Sequence, residues 1–206
     1  MDGNNRWSKK NSSSRYYSYK KGANNLIKLS SYLFEKTHAQ IISAFALSVN
    51  NMDRTSSIIR MIEKVLVDTL SENKNKKLNF DIFFLGNFNF LNKDTKKLIL
   101  KINQKNIYPK KLYIYLNYGG REDIKNAAIK FRSKITNFNS LLITQNIPDP
   151  EILIRTGGFN RISNFLLYQI AFTELFFLKK LWPDLNISDL KKILNKYSII
   201  ERKFGR

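Results

Sequence analysis

The sequence predicts an α/β fold in which helices flank a mostly parallel central sheet. Apolar runs with strand character alternate along the chain with segments of helical periodicity. Such an alternation forms β-α-β units whose strands lie parallel. With 206 residues, 43% hydrophobic and 25% charged, the chain is large enough to bury one core. No Gly-, Ser- or Pro-rich linker divides it, so we expect a single domain over residues 1–206.

Five strands are predicted where β-rich apolar runs lie between turn residues. They cover residues 40–47, 80–85, 112–116, 151–154 and, with a weaker pattern, 175–178. Apolar residues spaced three and four apart predict helices around 26–33, 58–70, 98–102 and 124–132. Because ligands of parallel sheets bind outside the carboxyl ends of the strands, functional residues should follow directly after each strand.

The composition excludes several kinds of chemistry. The absence of cysteine excludes a disulfide framework and a thiolate nucleophile, and the single histidine argues against a Cys/His zinc site or a Ser-His-Asp triad. A net charge of +20 predicts affinity for nucleic acid, anionic lipid or phosphorylated small molecules. No run of about 18 to 20 apolar residues and no signal pattern occurs, so we expect a cytoplasmic protein without a membrane span.

Polar loops rich in glycine, asparagine and arginine follow four of the predicted strands. They comprise residues 48–54, 86–87, 117–121 and 155–164. The last contains a Gly pair, arginines and a serine at the expected start of a helix, which together offer N–H groups, guanidinium forks and a hydroxyl to one anion. One such loop alone is more often a plain turn, but several at one sheet edge favour a phosphate site.

Five segments of the chain, some of them in these loops, resemble the sequence motifs of one known family. Residues 1–7, MDGNNRW, resemble MDGNGRW, and residues 15–22 resemble R-x-x-G-H-x-x-G. Residues 48–54 resemble S-x-E-N-W-x-R, and residues 117–121 resemble NYGGR. The segment 154–169, followed by 174–175 and 181–184, resembles the C-terminal signature. With these five motifs in order over nearly the whole chain, the sequence resembles the cis-prenyltransferases, the undecaprenyl diphosphate synthase family, and the resemblance implies that family's fold.

The resemblance implies a reaction. An allylic diphosphate, for which farnesyl diphosphate is the expected primer, loses its diphosphate, and the double bond of isopentenyl diphosphate attacks the allylic carbon. Loss of a proton leaves a cis double bond, and repetition produces a polyprenyl diphosphate. The resemblance also implies Mg²⁺ and a homodimer formed through the apolar stretch after Ser163. We further expect peripheral contact with membrane surfaces and no specific nucleic acid.

The resemblance also assigns roles to individual residues. Asp2 and Asn51 are the expected catalytic residues, and Asp2 and Glu174 the expected magnesium ligands. Substrate binding is expected at Gly3, Asn4, Arg6, Trp7, Arg15, Tyr19, Ser48, Met52, Arg54, Arg155, Arg161 and Ser163. A growing prenyl tail needs an apolar cleft. The helices over 26–34 and 58–70 are candidate walls, although ordinary core packing explains their apolar residues equally well.

Several positions depart from the family pattern. They are Tyr19 for His, Asn5 for the second Gly of MDGNGRW, Ser18 for Gly, Asn50 for Glu, Met52 for Trp, Phe159 and Asn160 for a Glu-His-like pair, and Lys203 for Arg. Asn5 would be tolerated at a positive φ, which asparagine accepts best after glycine.

These departures raise the alternative of a non-catalytic or degenerate subunit that stabilises an active partner. The retained acidic and arginine residues of the motifs argue against it. A third hypothesis, a nucleic-acid binder, rests on charge alone, because no nucleic-acid-binding motif occurs.

The resemblance implies one further strand, apolar and leading directly into residues 1–7 with Asp2 at its carboxyl end. The chain begins at Met1, so this first strand is expected to be missing. Either the domain is truncated at its N-terminus, which is the favoured interpretation, or a central strand has been lost and two sheet edges are left unsatisfied.

Overall fold

The computed structural model describes residues 1–52, 56–73, 76–131 and 137–201. The strands are β1 (Ile41–Ser48), β2 (Asp81–Gly86), β3 (Lys111–Tyr118), β4 (Ile152–Arg155) and β5 (Glu174–Phe177). The helices are α1 (Asn4–Lys10), α2 (Arg15–Lys36), α3 (Ser56–Asn73), α4 (Lys93–Asn103), α5 (Gly120–Phe131) and α6 (Ile187–Ser198). All five predicted strands are confirmed, and the four predicted helices correspond to α2 to α5.

The strands pair in parallel, as the alternation of strand and helix predicts. One sheet has the order β1-β3-β2, with Leu112 of β3 in register with Ile42 and Ile82, and the other pairs β4 with β5. Five of the eight residues of β3 are buried and the other three are half-buried, as expected for a central parallel strand covered on both faces. The α/β class with a mostly parallel sheet is therefore confirmed.

A cleft separates the two sheets. In the described ranges no strand lies between β1 and β4, so both strands present an unpaired edge. A cavity of about 1320 Å³ runs along these edges and is lined by residues 41–46 of β1 and 151–155 of β4. Contacts beside the cleft connect β1 and α2 to the segments that follow β4 and β5. Phe45 of β1 stacks on Phe165 at 4.5 Å, and Trp182 donates its indole N–H to the Gly22 carbonyl of α2 at 2.8 Å.

Side-chain caps fix where the helices begin. Ser14 accepts a hydrogen bond from the Tyr17 N–H at the start of α2, and Asn92 caps α4 in the same way. Asn186 and Asp189 form a reciprocal capping box at α6. These caps explain why α2 starts well before its apolar stretch. Among the helices in the described part of the chain, none combines the length and apolar character needed to cross a bilayer.

Asp123 ties α5 to β3 and makes stability depend on pH. Its carboxylate accepts hydrogen bonds from the Ile143 N–H at 2.9 Å and the Tyr118 hydroxyl at 3.2 Å. Burial raises the pKa of Asp123, and these two hydrogen bonds offset only part of that effect. Because the folded-state pKa lies above the unfolded one, the stability contributed by the protonated carboxyl is lost as pH rises through the folded-state pKa.

We therefore expect Asp123→Asn to gain stability relative to the wild type as pH rises from 4 to 7. The amide oxygen can accept the Ile143 N–H, and the amide nitrogen can donate to the Tyr118 hydroxyl oxygen, which reverses that hydrogen bond; each bond is worth about 1 kcal/mol, and the amide carries no charge to bury. Urea denaturation at both pH values measures the difference. A variant that loses stability relative to the wild type at pH 7 would show that the charged carboxylate stabilises this junction.

Candidate active site

Asp2 is held at the carboxyl end of β4 by a buried threonine. The Thr156 hydroxyl accepts the Asp2 N–H at 3.1 Å and donates to the Asp2 carbonyl at 3.0 Å. The Trp182 N–H donates to the same carbonyl at 3.0 Å. Thr156 directly follows β4 and is only 1% exposed. The backbone of Asp2 is therefore fixed, and its carboxylate points into the loop that follows the strand.

Two arginines pair with that carboxylate, one on each of its oxygens. Arg155, the last residue of β4, places Nη2 at 3.0 Å from one Asp2 oxygen, and Arg6 of α1 places Nη2 at 3.3 Å from the other. Arg6 also donates to the Gly157 carbonyl at 2.7 Å. Arg155 uses Nη1 to donate to the Ser163 hydroxyl at 2.6 Å and to the Arg161 carbonyl. Asp2, Arg6, Arg155 and Ser163 are thus brought together as predicted.

The geometry of α1 depends on Gly3. Its φ is +106°, and a Cβ at this position would lie 2.7 Å from Leu181 Cδ2. Asn5, in contrast, lies within α1. The positive φ considered for Asn5 is therefore at Gly3 instead, and a helical backbone accommodates the asparagine without strain.

The Gly pair of the β4 loop does not offer its amides to an anion. The Gly157 N–H donates to the Lys180 carbonyl at 2.9 Å, and the Gly158 N–H to the Leu178 carbonyl at 2.8 Å. No helix starts in the described residues directly after the pair. The predicted use of these N–H groups and of a helix terminus is wrong, because backbone carbonyls already occupy them. Side-chain guanidinium and hydroxyl groups are the available donors.

The loop around Ser163 is tied to the start of α5. Ser163, Asn164 and Leu166 have φ angles of +52°, +64° and +47°. The side-chain oxygen of Asn164 accepts the Arg121 N–H at 2.8 Å, and the backbone carbonyl of Asn164 accepts the Gly120 N–H at 2.8 Å. Residues 117–121 therefore position the Ser163 loop. The N–H groups of Gly120 and Arg121 both donate to Asn164 and are not available to a ligand. Left-handed non-glycine residues cost about 1 to 3 kcal/mol each and are common at functional sites.

The carboxyl end of β1 supplies a second set of polar groups. Ser48 ends β1, and Asn51 donates from Nδ2 to the Ser48 hydroxyl at 2.9 Å. These two residues, together with Asn4 and Tyr19, line the same cavity as Asp2 and Arg155. The expected catalytic Asn51 and the expected substrate-binding Ser48, Asn4 and Tyr19 therefore all face one space.

The apolar wall of this cavity comes from α2. Leu26, Leu29 and Leu33 face it from one side, and residues of β1 and β4 from the other. In the described part of the chain α3 contributes none of the lining residues and packs against α2 instead. The helix over 26–34 therefore forms a wall, whereas the apolar residues over 58–70 serve core packing.

Some predicted residues are not brought to the cavity. Trp7 is buried and donates from Nε1 to Asp184 at 2.6 Å, with the Lys21 ammonium 4.5 Å from its ring centre. Arg15 begins α2 and is exposed, and Met52 packs against the core. None of these side chains lines the cavity. Arg54 and Lys203 lie outside the described residues.

Glu174 lies at the other end of the strands from Asp2. It pairs with Ile152 at the start of β4, whereas Arg155 pairs with Phe177 at the end. Three residues of strand separate the two ends by about 10 Å. The structure does not bring Glu174 and Asp2 together as a ligand pair.

The residues around Asp2 nevertheless fit a magnesium ion. In the described ranges no three acidic or histidine side chains cluster as a complete metal site. Mg²⁺ often binds one or two carboxylates and completes its shell with phosphate oxygens and water. Asp2 would be the protein ligand, and a bound diphosphate would supply the other oxygens.

An unexpected aromatic residue lies among the arginines. The ring centre of Phe159 is 4.1 Å from Cζ of Arg161, 4.8 Å from that of Arg6 and 5.6 Å from that of Arg155. With Asp2 the cluster carries one negative and three positive side chains, so it attracts anions. Sequence reasoning missed Thr156 and Phe159 as site residues, although Phe159 was visible as a departure from the family pattern.

Gly157 gives a test of this geometry with a matched control. Its φ is +94°, and an added Cβ would lie 2.5 Å from Arg6 Nη2 and 3.1 Å from Asp2 Cγ. Gly158 has a similar φ of +79° but meets nothing closer than 3.8 Å. We expect Gly157→Ala to lower kcat/KM by about 10²-fold, because it displaces both charged groups.

The matched variant Gly158→Ala should lose about 1 to 2 kcal/mol of stability from the same backbone strain and keep its turnover. Steady-state kinetics and thermal unfolding of both variants separate the two effects. Equal activity losses in both would indicate that strain, and not displacement of the Asp2–Arg6 pair, is responsible.

The site therefore combines an arginine-rich pocket that attracts anions, at the carboxyl end of β4, with a largely apolar cavity. A family model described as putative undecaprenyl diphosphate synthase matches residues 1–205, and the chain belongs to that prenyltransferase family. It is therefore an enzyme of prenyl chain elongation, as the motifs predicted.

Individual relatives agree with this assignment. The chain is 38% identical over 216 residues to an isoprenyl transferase of Aquifex pyrophilus, covering 100% of this chain and 93% of that protein. It is 32% identical over 224 residues, with the same coverage, to a ditrans,polycis-undecaprenyl-diphosphate synthase ((2E,6E)-farnesyl-diphosphate specific) of Coxiella burnetii. The crystal structure of lavandulyl diphosphate synthase from Lavandula x intermedia in complex with dimethylallyl diphosphate matches with a TM-score of 0.88 and 27% identity, covering 100% of this chain and 95% of that one.

Proposed function

We propose that the protein condenses isopentenyl diphosphate with an allylic diphosphate, with farnesyl diphosphate as primer, in a magnesium-dependent reaction that makes a cis-polyprenyl diphosphate. The observation that carries the proposal is the convergence of Asp2, Arg6 and Arg155 at an apolar cavity of about 1320 Å³. Charged groups suited to diphosphate and a space suited to hydrocarbon thus meet at one place.

The arginines serve the departure of the diphosphate. As the allylic C–O bond breaks, its electron pair leaves with the diphosphate, and nearby positive charge stabilises the leaving oxygens. Arg6 and Asn4 would hold the allylic diphosphate, and Arg155, Arg161 and Ser163 the diphosphate of isopentenyl diphosphate. Mg²⁺ bound by Asp2 would supply further charge neutralisation.

The remaining steps take place where the polar and apolar parts of the cavity meet. The double bond of isopentenyl diphosphate forms the new C–C bond to the allylic carbon, and the resulting cation loses a proton, which the released diphosphate can accept, to leave the cis double bond. Ser48 and Asn51 would lie near the reacting carbons. The leucines of α2 give the growing tail an apolar surface.

Incorporation of radiolabelled isopentenyl diphosphate tests the proposal. The purified protein is incubated with dimethylallyl, farnesyl or geranylgeranyl diphosphate, with Mg²⁺ or with a chelator, and the products are sized. We expect elongation from farnesyl diphosphate that stops when Mg²⁺ is removed. No incorporation with any primer would contradict the proposal, and efficient incorporation in the chelator would contradict the metal requirement.

A homodimer through β5 is part of the proposal. Within the apolar stretch after Ser163, Phe172 is 65% and Leu175 43% exposed, whereas Leu166 is buried and Phe165 stacks inside the fold. The exposed pair lies at or beside an edge strand, which favours association.

We expect Leu175→Asp to convert a dimer to a monomer, measured by sedimentation equilibrium. Leu100→Asp, which changes an equally apolar and exposed residue on α4, is the control and should remain dimeric. A monomeric wild type, or a Leu175→Asp dimer of unchanged affinity, would contradict the proposed interface.

We place the protein in the cytoplasm with peripheral contact to anionic membranes. The net charge of +20 and the amphiphilic product of the proposed reaction support this.

A further inference from the structure

Phe159 is the group that the three site arginines share. The guanidinium groups of Arg6, Arg155 and Arg161 come from α1, from β4 and from the loop after it, and all lie within 5.6 Å of one ring centre. Like charges this close repel one another, and one carboxylate, Asp2, pairs with only two of them. Some other feature must favour the third.

For Arg161 that feature is the ring of Phe159. In the described part of the chain its side chain makes no ion pair, and its guanidinium lies 4.1 Å from the Phe159 ring centre. The face of an aromatic ring carries partial negative charge and attracts guanidinium groups. The ring therefore holds Arg161 beside Arg155 without forming a hydrogen bond to either of them.

A neutral ring differs from a carboxylate in its effect on ligands. A glutamate at position 159 would pair with the arginines and compete with an incoming diphosphate for their N–H groups. An aromatic ring stacks on the guanidinium face and accepts no hydrogen bond from the N–H groups at the guanidinium edge, so it does not compete with phosphate oxygens for them. The arrangement thus orients the arginines and preserves the net positive charge of the pocket.

We infer that Phe159 is a positioning residue that holds Arg6, Arg155 and Arg161 together for diphosphate binding, and that this cluster binds free pyrophosphate without a divalent cation. The inference deepens the proposed function and rests on it for the identity of the ligand. It gives Phe159, an aromatic residue at a position where the family pattern has an acidic one, the role of contacting all three arginines.

Calorimetric titration with inorganic pyrophosphate in a chelating buffer tests the inference without turnover. We expect Phe159→Leu, which keeps the apolar bulk and loses the ring, to weaken binding about tenfold. Phe159→Trp should bind pyrophosphate as the wild type does, because the face of a tryptophan ring attracts cations more strongly than that of other aromatic rings. Phe131→Leu, which removes an exposed ring from α5, is the matched control and should bind as the wild type does.

Kinetics of the same variants give a second measurement. A positioning role predicts that Phe159→Leu raises KM for isopentenyl diphosphate about tenfold and changes kcat less than threefold. Thermal unfolding of each variant verifies that the fold is intact. If Phe159→Leu unfolds, the comparison is made between the wild type, Phe159→Trp and Phe159→Glu, and the glutamate variant should bind pyrophosphate at least tenfold more weakly.

The outcomes separate this inference from the proposed function. Cation-independent pyrophosphate binding that depends on the ring supports the inference even if no prenyl transfer is detected. Wild-type affinity in Phe159→Leu, failure of Phe159→Trp to bind, or a wild type that binds pyrophosphate only with Mg²⁺ would each overturn it, even if the enzyme elongates prenyl chains.

Discussion

Asp2→Asn should lower the incorporation of isopentenyl diphosphate by about 10³-fold and leave the fold intact. The amide has nearly the same shape, and the backbone of residue 2 remains fixed by Thr156 and Trp182. What is lost is the negative charge that would hold Mg²⁺ against the leaving diphosphate. The Asp2 ion pairs are partly exposed, so their loss should cost no more than about 1 kcal/mol of stability.

Pyrophosphate binding distinguishes this role from a general effect on the pocket. In a chelating buffer Asp2→Asn should bind pyrophosphate at least as tightly as the wild type, because Arg6 and Arg155 no longer share their charge with a carboxylate. Asp94→Asn, at an exposed position in the first turn of α4, is the control and should have wild-type kinetics. Undiminished turnover in Asp2→Asn would refute the assignment of this carboxylate.

Arg155→Lys should lower kcat/KM for isopentenyl diphosphate by about 10²-fold, mainly through KM. The side chain of Arg155 is only 13% exposed and uses both terminal guanidinium nitrogens, one toward Asp2 and one toward Ser163. A lysine ammonium is a single point charge and cannot replace this fork. The variant therefore keeps the charge of the pocket and loses the geometry that orients the diphosphate.

A conservative control makes the arginine result specific. Arg60→Lys changes an exposed arginine of α3, whose guanidinium contacts only Ser56 at 3.4 Å among the described contacts, and should not alter the kinetics. Steady-state measurement of KM and kcat for both substrates decides the question. If Arg155→Lys stays within twofold of the wild type, positive charge alone is sufficient and the fork has no role.

The parts of this fold that depend on local pattern were predictable from the sequence. The five strands are short apolar runs between turn residues, and their type and order follow from that pattern. The placement of Ser48, Asn51, Arg155 and Ser163 around one cavity follows from the rule that loops at the carboxyl ends of parallel strands meet.

The parts that depend on distant contacts were not predictable. The Gly157 N–H is not free because the distant Lys180 carbonyl accepts it. Trp7 donates to the distant Asp184 and does not line the cavity. The pairing of Asp2 with Thr156 joins residues 154 positions apart, and no local periodicity encodes it. The position of Glu174 at the far end of β5 likewise depends on the strand register.

The cleft between β1 and β4 links ligand binding to the local stability of the protein. Amides of β3, paired on both sides, should exchange with solvent only on global unfolding, whereas the short β4–β5 pair should exchange by local opening. A diphosphate that binds both Arg6 of α1 and Arg155 of β4 would tie β4 to α1 and slow amide exchange in β4 in proportion to the diphosphate concentration. Bound substrate would then stabilise β4 against local opening, and the protection of the β4 amides from exchange would measure how much of the site is occupied.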